Sequence, residues 1–230
     1  MTAFFRYPHT PHLVWLGNGQ PRDDKVLTEE ERGRFLSQQL IIEEKVDGAN
    51  IGFSASGNGD LRIQNRGTYL APEFAAPQFK ALFTWANSRR DVLLSTLQRH
   101  QILFGEWCYA VHTVRYTELP DWFLAFDVYD RARSTFLSVA ERDALVRAMG
   151  FELVPRLGEG RYSLDSLRTI LGKSSLGAAK GEGLFLRPAT SDAGSGRAKL
   201  VTPEFTQAIG EHWSKRSLRT NSLAEGVPWF

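Results

Sequence analysis

The 230-residue chain has one cysteine, Cys108, so no internal disulfide framework can form and a cysteine-rich zinc site is excluded. No apolar run approaches the ~18 residues that suggest a membrane helix. The opening Met1-Thr2-Ala3-Phe4-Phe5-Arg6 lacks the apolar core of a secretion signal. Internal repeats and low-complexity tracts are missing as well. The net charge of +2 is too small to indicate a polyanion partner by itself, so such a partner would need locally clustered cations. These absences predict a cytoplasmic protein with no membrane association. What is present, 42% hydrophobic and 12% aromatic residues, is the composition of a globular chain.

Local signals give most of the elements. Residues 1–27, rich in Pro, His, Gly and Asp, read as irregular. Thr28-x-x-Glu31 and Ser138-x-x-Glu141 are capping boxes, which predict helices running to about Leu36 and to Gly150. Ser163 caps a further helix ending at Gly172, and Phe79 to Ala86 and Asp91 to Gln98 read as helices. Strands are expected at Gln39 to Lys45, 49–55, 61–65, Ile102 to Tyr109, Phe123 to Tyr129, Gly183 to Arg187 and Ala198 to Val201. Gly57-Asn58-Gly59-Asp60 suits a hairpin turn between two of them. Thr190 to Gly196 reads as a small-residue loop, and Pro203 opens a last helix. Strands outnumber helices and many look hairpin-linked, which predicts an α+β fold with antiparallel sheets.

Five segments carry reactive side chains. Glu43-Glu44-Lys45-Val46-Asp47-Gly48-Ala49-Asn50 puts a lysine at a strand end before a glycine that permits a tight turn and close ligand approach. Taken alone it is also a common surface turn. Phe104-Gly105-Glu106-Trp107 ends an apolar strand on an acid. Phe126-Asp127 sits in an aromatic strand, where a carboxylate needs a metal, a cation or several donors. Gly181-Glu182-Gly183 places an acid between glycines, and Arg197-Ala198-Lys199 puts two cations on one strand face. Each has a bland counterpart: a strand-end acid, a turn acid, a solvated edge strand.

Together and in this order, the segments resemble motifs I, III, IIIa, IV and V of the covalent nucleotidyltransferases, which comprise DNA ligases, RNA ligases and mRNA capping enzymes. The resemblance spans residues 43 to 199. Glu44, Asn50 and Asn65-Arg66-Gly67 bring it nearest to ATP-dependent RNA ligases of the RNA ligase 2-like branch. The segments Tyr7 to Leu13 and His212-Trp213-Ser214-Lys215-Arg216 also look like a small bacterial and phage group of that kind.

The resemblance implies one nucleotidyltransferase domain over 1–230, of two antiparallel sheets flanked by helices. It would comprise an N-terminal extension (1–38), a catalytic core (39–202) and a C-terminal helix and tail (203–230). No OB-fold is evident, which leaves a protein partner as one source of a substrate clamp. By position, Lys45 is the nucleophile that takes AMP from ATP. Glu44 and Asn50 shape the adenylate pocket, Arg66 meets the ribose or a strand phosphate, and Glu106 meets the ribose. Phe126 stacks on adenine. Glu182 acts through Mg2+ or Mn2+, with Asp127 a further candidate metal ligand. Arg187, Arg197 and Lys199 surround the triphosphate, although arginine at the first two departs from the lysines common in phage RNA ligases. Glu43 and Glu44, if near Lys45, would raise its pKa. The expected reaction joins 5′-phosphate to 3′-hydroxyl ends of RNA. A DNA-nick ligase, a guanylyltransferase and an inactive nucleic-acid-binding module are the alternatives.

Overall fold

The computed structural model describes residues 4–18, 21, 25–189, 196–208 and 218–229. Both capping boxes form. The Thr28 side chain accepts from the Glu31 amide to start α1 (Glu29–Leu36), and Ser138 does the same through Glu141 for α4 (Val139–Ala148). Such caps satisfy amides that the first helical turn leaves unpaired. The remaining helices are α2 (Pro77–Ser88), α3 (Arg90–Thr96), α5 (Leu164–Ile170) and α6 (Pro203–Ala208). Gly150 takes φ of +69°, the left-handed conformation that lets the chain turn away after α4. The expected 190–196 loop, apart from Gly196, and the His212 to Arg216 segment lie outside the described residues.

Among the described residues, ten strands build two sheets. The first has the order β10 (Ala198–Val201), β9 (Gly183–Pro188), β1 (Leu40–Lys45), β8 (Arg156–Gly160), all antiparallel. The second runs β3 (Leu61–Gln64), β2 (Ala49–Ala55), β4 (Gln101–Trp107), β5 (Phe123–Asp130), β6 (Thr135–Phe136). There the short β7 (Glu152–Leu153) lies parallel to β5 at the side of an otherwise antiparallel sheet, in keeping with the expected two antiparallel sheets. That pairing is parallel because α4 intervenes, returning the chain in the direction of β5. Strand β8 had no sequence signal, since Arg-Leu-Gly-Glu-Gly has neither β-branched residues nor a buried face.

Alternation along the strands separates core from site. In the first sheet Leu40, Ile42, Leu184, Leu186 and Leu200 point to a core shared with Phe35 of α1, Leu167 of α5 and Leu13. The opposite face carries Glu43, Lys45, Phe185, Arg187 and Lys199, because β1 pairs Glu43 with Phe185 and β10 pairs Lys199 with Phe185. In the second sheet Ile51, Phe53, Leu103 and Trp107 enter a larger core with Leu82 and Trp85 of α2. Asn50, Phe104 and Glu106 point the other way. The two polar faces oppose each other, joined by ion pairs from Arg187 to Asp127 and from Arg142 to Glu43.

Candidate active site

A cleft of about 920 Å³ lies at this junction, within the size range of small-molecule sites. Lys45 ends β1 on its wall, and its Nζ stands 2.5 Å from Glu182 Oε1. The turn after it is fixed from several sides. Asp47 Oδ2 accepts the amides of Thr113 and Val114 at 2.7 Å each, and the Asp47 amide donates to the Tyr116 hydroxyl. The Gly48 amide donates to Glu106 Oε1 at 3.1 Å. A Cβ at Gly48 would lie 2.6 Å from the Trp107 carbonyl oxygen, so only glycine lets the turn pass this close to β4. Glu182 is thus in contact with the ammonium, while Glu106 and Asp47 act on it through their charge.

Their charge states follow from that crowding. Burial pushes Glu106 up to about 8 and Glu182 to about 7, countered in part by Lys45. Burial works against the Lys45 charge, yet Glu182, Glu106 and Asp47 outweigh it and hold the ammonium above the ordinary lysine value. The acids that raise it are not the sequence neighbours. Glu43 Oε1 is held by Arg142 at 2.6 Å and Glu43 Oε2 by Arg187 at 2.8 Å. Glu44 is turned toward Ser174 Oγ, which donates at 2.6 Å, and the Ser175 amide. The expectation that Glu43 and Glu44 would raise the lysine pKa fails because both carboxylates have other partners.

Phe126 reaches the cleft through a break in the β ladder. Gly105 pairs with Ala125 and Phe104 with Asp127, so Phe126 is the extra residue of a bulge. The bulge shifts the alternation: Phe126 lines the cleft and the buried Asp127 side chain faces the first sheet. Asp127 Oδ1 binds Arg187 at 2.8 Å and Arg197 at 2.9 Å, while Tyr7 donates its hydroxyl to Oδ2 at 2.5 Å. Burial alone would raise this carboxyl, but the two guanidiniums and the Tyr7 hydroxyl outweigh it and hold it below the usual range. Of the three ways to accommodate a buried acid at this position, the fold uses cations and a hydroxyl. In this structure Asp127, the further candidate metal ligand, spends both oxygens on Arg187, Arg197 and Tyr7.

Lys45, Glu44, Asn50, Arg66, Glu106, Phe126 and Lys199 all line the cleft, and Glu182 joins them through Lys45. Asn50 is paired across the ladder with Glu106, and its Oδ1 is buried without a hydrogen-bond partner. Arg66 donates from Nε to the Tyr7 carbonyl oxygen at 3.4 Å. Arg187 and Arg197 sit on Asp127 instead of the cleft wall. Arg197 also lies 3.7 Å over the Phe136 ring, and Arg187 is 3% exposed. Several residues had no sequence signal. Phe185, Gln78 and His112 line the cleft, with His112 Nε2 3.1 Å from Gln78 Oε1. Arg142 is buried at 1% exposure and ties Glu43 to the Phe126 carbonyl oxygen. Asn221 accepts from the Tyr116 amide and donates to the Cys108 carbonyl oxygen, fastening the loop that holds Asp47.

A sequence profile described as RNA ligase matches residues 38–201. The chain belongs to the RNA ligase family. This family member also shares its fold with solved structures of Naegleria gruberi RNA ligase. A substituted form of that ligase with ATP and Mn has a TM-score of 0.61 at 17% identity, covering 87% of this chain and 60% of that one. The ligase with PPi gives a TM-score of 0.58 at 18% identity, covering 90% and 64%. The chain thus spans less than two thirds of the length of these ligases. No curated protein matches the sequence. Among the described residues, no helix is long and apolar enough to cross a membrane.

Proposed function

We propose that the protein is an ATP-dependent RNA ligase that works through a covalent lysyl-AMP, with 1–230 acting as one nucleotidyltransferase domain. The observation that carries this reading is Lys45 at the cleft wall, bridged to Glu182 and faced by Glu106. A turn lysine without a chemical task has no reason to pair with a buried carboxylate and sit in the field of two more acids. The single cysteine, a buried free thiol, suits a cytoplasmic enzyme.

Lys45 must shed a proton before it can attack. Its Nζ then bonds to the α-phosphorus of ATP as the bond to pyrophosphate breaks. Next, a 5′-phosphate oxygen of the substrate displaces the lysine and carries away AMP. A 3′-hydroxyl finally attacks that 5′-phosphorus, and AMP leaves. Phe126 and Phe185 offer rings to the adenine, and the orphaned Asn50 Oδ1 offers it an acceptor. Lys199 and Arg66 on the cleft wall, with the partly exposed Arg197 nearby, suit the phosphates.

A divalent cation fits the donor set. The raised values of Glu106 and Glu182 show that the nearby ammonium groups do not fully offset these acids, and hard oxygen donors suit Mg2+ or Mn2+. Among the described residues no group of three or more ligating side chains occurs, so Glu182 and Glu106 would share the ion with phosphate and water oxygens. When bound, it would offset phosphate charge and ease loss of the lysine proton.

The test is incubation with α-labelled ATP and magnesium, followed by denaturing electrophoresis. Label should stay on the protein and be released by acid. Its rate of appearance should rise from pH 6 to 9. The sign follows from the site: the amine of a raised lysine becomes available only as pH climbs, and Glu182 and Glu106 lose their protons around 7 and 8. Absence of label across metals and pH would sink the reading.

Base stacking gives a second expectation. Phe126→Ala should weaken ATP use about tenfold to a hundredfold, the range for one lost stacking partner, and Phe126→Tyr far less. Equal ATP affinity in folded wild type and Phe126→Ala would remove Phe126 from the adenine site.

A further inference from the structure

A second cavity, of about 520 Å³, lies on the other side of the segment that carries Arg66. Its floor is apolar, with Leu61, Leu70 and Phe83, and Arg62 and Arg90 line it as well. The Arg62 guanidinium lies 5.2 Å over the Tyr69 ring. Arg90 makes an exposed pair to Asp60 at 2.9 Å, an interaction that costs little to exchange. Tyr69 Oη is buried and has no hydrogen-bond partner, which is costly unless a ligand or water supplies one. Beyond Pro72, which lines the cavity, the short 3-10 turn Pro72–Phe74 presents Phe74 at 91% exposure.

One short hairpin separates the groove from the active-site cleft. A bridge between Gln64 and Tyr69 closes residues 65–68 into a tight loop. Asn65 to Thr68 line the cleft, while Arg62, Ile63, Tyr69 and Leu70 line the groove, so one hairpin forms a wall of both. Arg66 stands on the cleft side of this hairpin, Arg62 and Arg90 line the groove, and the bare Phe74 ring follows Pro72 of its lining. Cations spaced along a backbone path, interleaved with rings that accept any base, are the chemistry of single-strand nucleic-acid binding.

We propose that this groove and Phe74 bind the single-stranded RNA that extends from the ligation site. The proposal rests on the ligase reading for the identity of the strand, but binding can be measured without catalysis. The occupant is an RNA strand and not a protein, because arginines line the groove and the hairpin that bounds it also bounds the cleft.

The experiment is fluorescence anisotropy of a 5′-adenylylated single-stranded RNA of about a dozen nucleotides, titrated with wild type, Phe74→Ala, Phe74→Trp and Arg62→Ala/Arg90→Ala at several salt concentrations. Phe74→Ala should bind about tenfold more weakly and Phe74→Trp like wild type. Loss of two phosphate contacts should reduce the slope of log K against log salt by about 1.4. All variants should take label from ATP at the wild-type rate, since none touches the nucleotide cleft. The exposed Phe74 is not a folding determinant, and far-UV dichroism checks this. Unchanged affinity and unchanged slope overturn the proposal and leave the groove to a protein partner. Loss of labelling by wild type strikes the ligase reading instead, and leaves the binding result to decide the groove.

Discussion

Lys45→Ala should take no detectable label from ATP, yet still join a pre-adenylylated RNA strand to a 3′-hydroxyl end. Deleting the nucleophile of a covalent enzyme costs on the order of a millionfold in rate, which puts the first step below any electrophoretic assay. The last step needs no lysine nucleophile, because the 5′ end arrives with its AMP attached. The residues that remain, Glu182, Glu106, Lys199 and Arg66, hold that end and its phosphates. Removing Lys45 also removes the ammonium that lowers Glu182 and Glu106, so both acids should titrate higher than in wild type. Residual joining in the variant should therefore be shifted to higher pH. The measurement is single-turnover joining with magnesium and no ATP, using RNA-ended and DNA-ended acceptors. Joining of DNA ends alone would move the assignment to a DNA ligase. A variant that still takes label would show that another residue is the nucleophile.

Asp127→Ala should lower Tm by roughly 6–20 °C at pH 7. The substitution leaves Arg187 and Arg197 side by side with their shared carboxylate gone, and the Tyr7 hydroxyl without its acceptor. Breaking a buried pair from one side costs about 3–5 kcal/mol. For a chain of this size each kcal/mol moves Tm by about 2–4 °C. Asp127 is held below the usual carboxylate range when folded. Its contribution is therefore complete above the unfolded value of about 3.9 and is lost as pH falls through the lower folded value. The gap between wild type and variant should be constant from pH 6 to 8 and should close in acid. A change of less than about 2 °C at pH 7 would show that the cluster is not what holds the two sheets together. Replacing Arg187 as well should cost less than the sum of the single changes, because the orphaned charge goes with it.

The helices show how far local signals reach. The Thr28 and Ser138 capping boxes, and Ser163, were legible because a cap is made by residues three apart in the chain. The hairpin at Gly57 to Asp60 was legible for the same reason. By contrast β8 offers neither side-chain alternation nor branched residues, and it exists because the free edge of β1 needs a partner. Arg142 looks like any helical arginine, and only the packing of α4 against β5 turns it toward Glu43.

The sequence by itself determined the reactive inventory: a lysine before Asp-Gly, acids at 106 and 182, an aromatic beside an acid at 126 and 127, and cations at 197 and 199. Chemistry of that kind is carried by residue type and order, which the chain states directly. It also determined the α+β class, through periodicity and caps. Tertiary structure decided which acid faces which cation. Strand register put Glu43 beside Arg187, the packing of α4 brought Arg142 to it, and Glu182 met Lys45. One extra residue at Phe126 accompanies the placement of Asp127 against two arginines. The physical reason is that burial and partner choice set the charge of an acid. Both depend on strands far apart in the chain, where a shift of one residue sends every side chain to the opposite face.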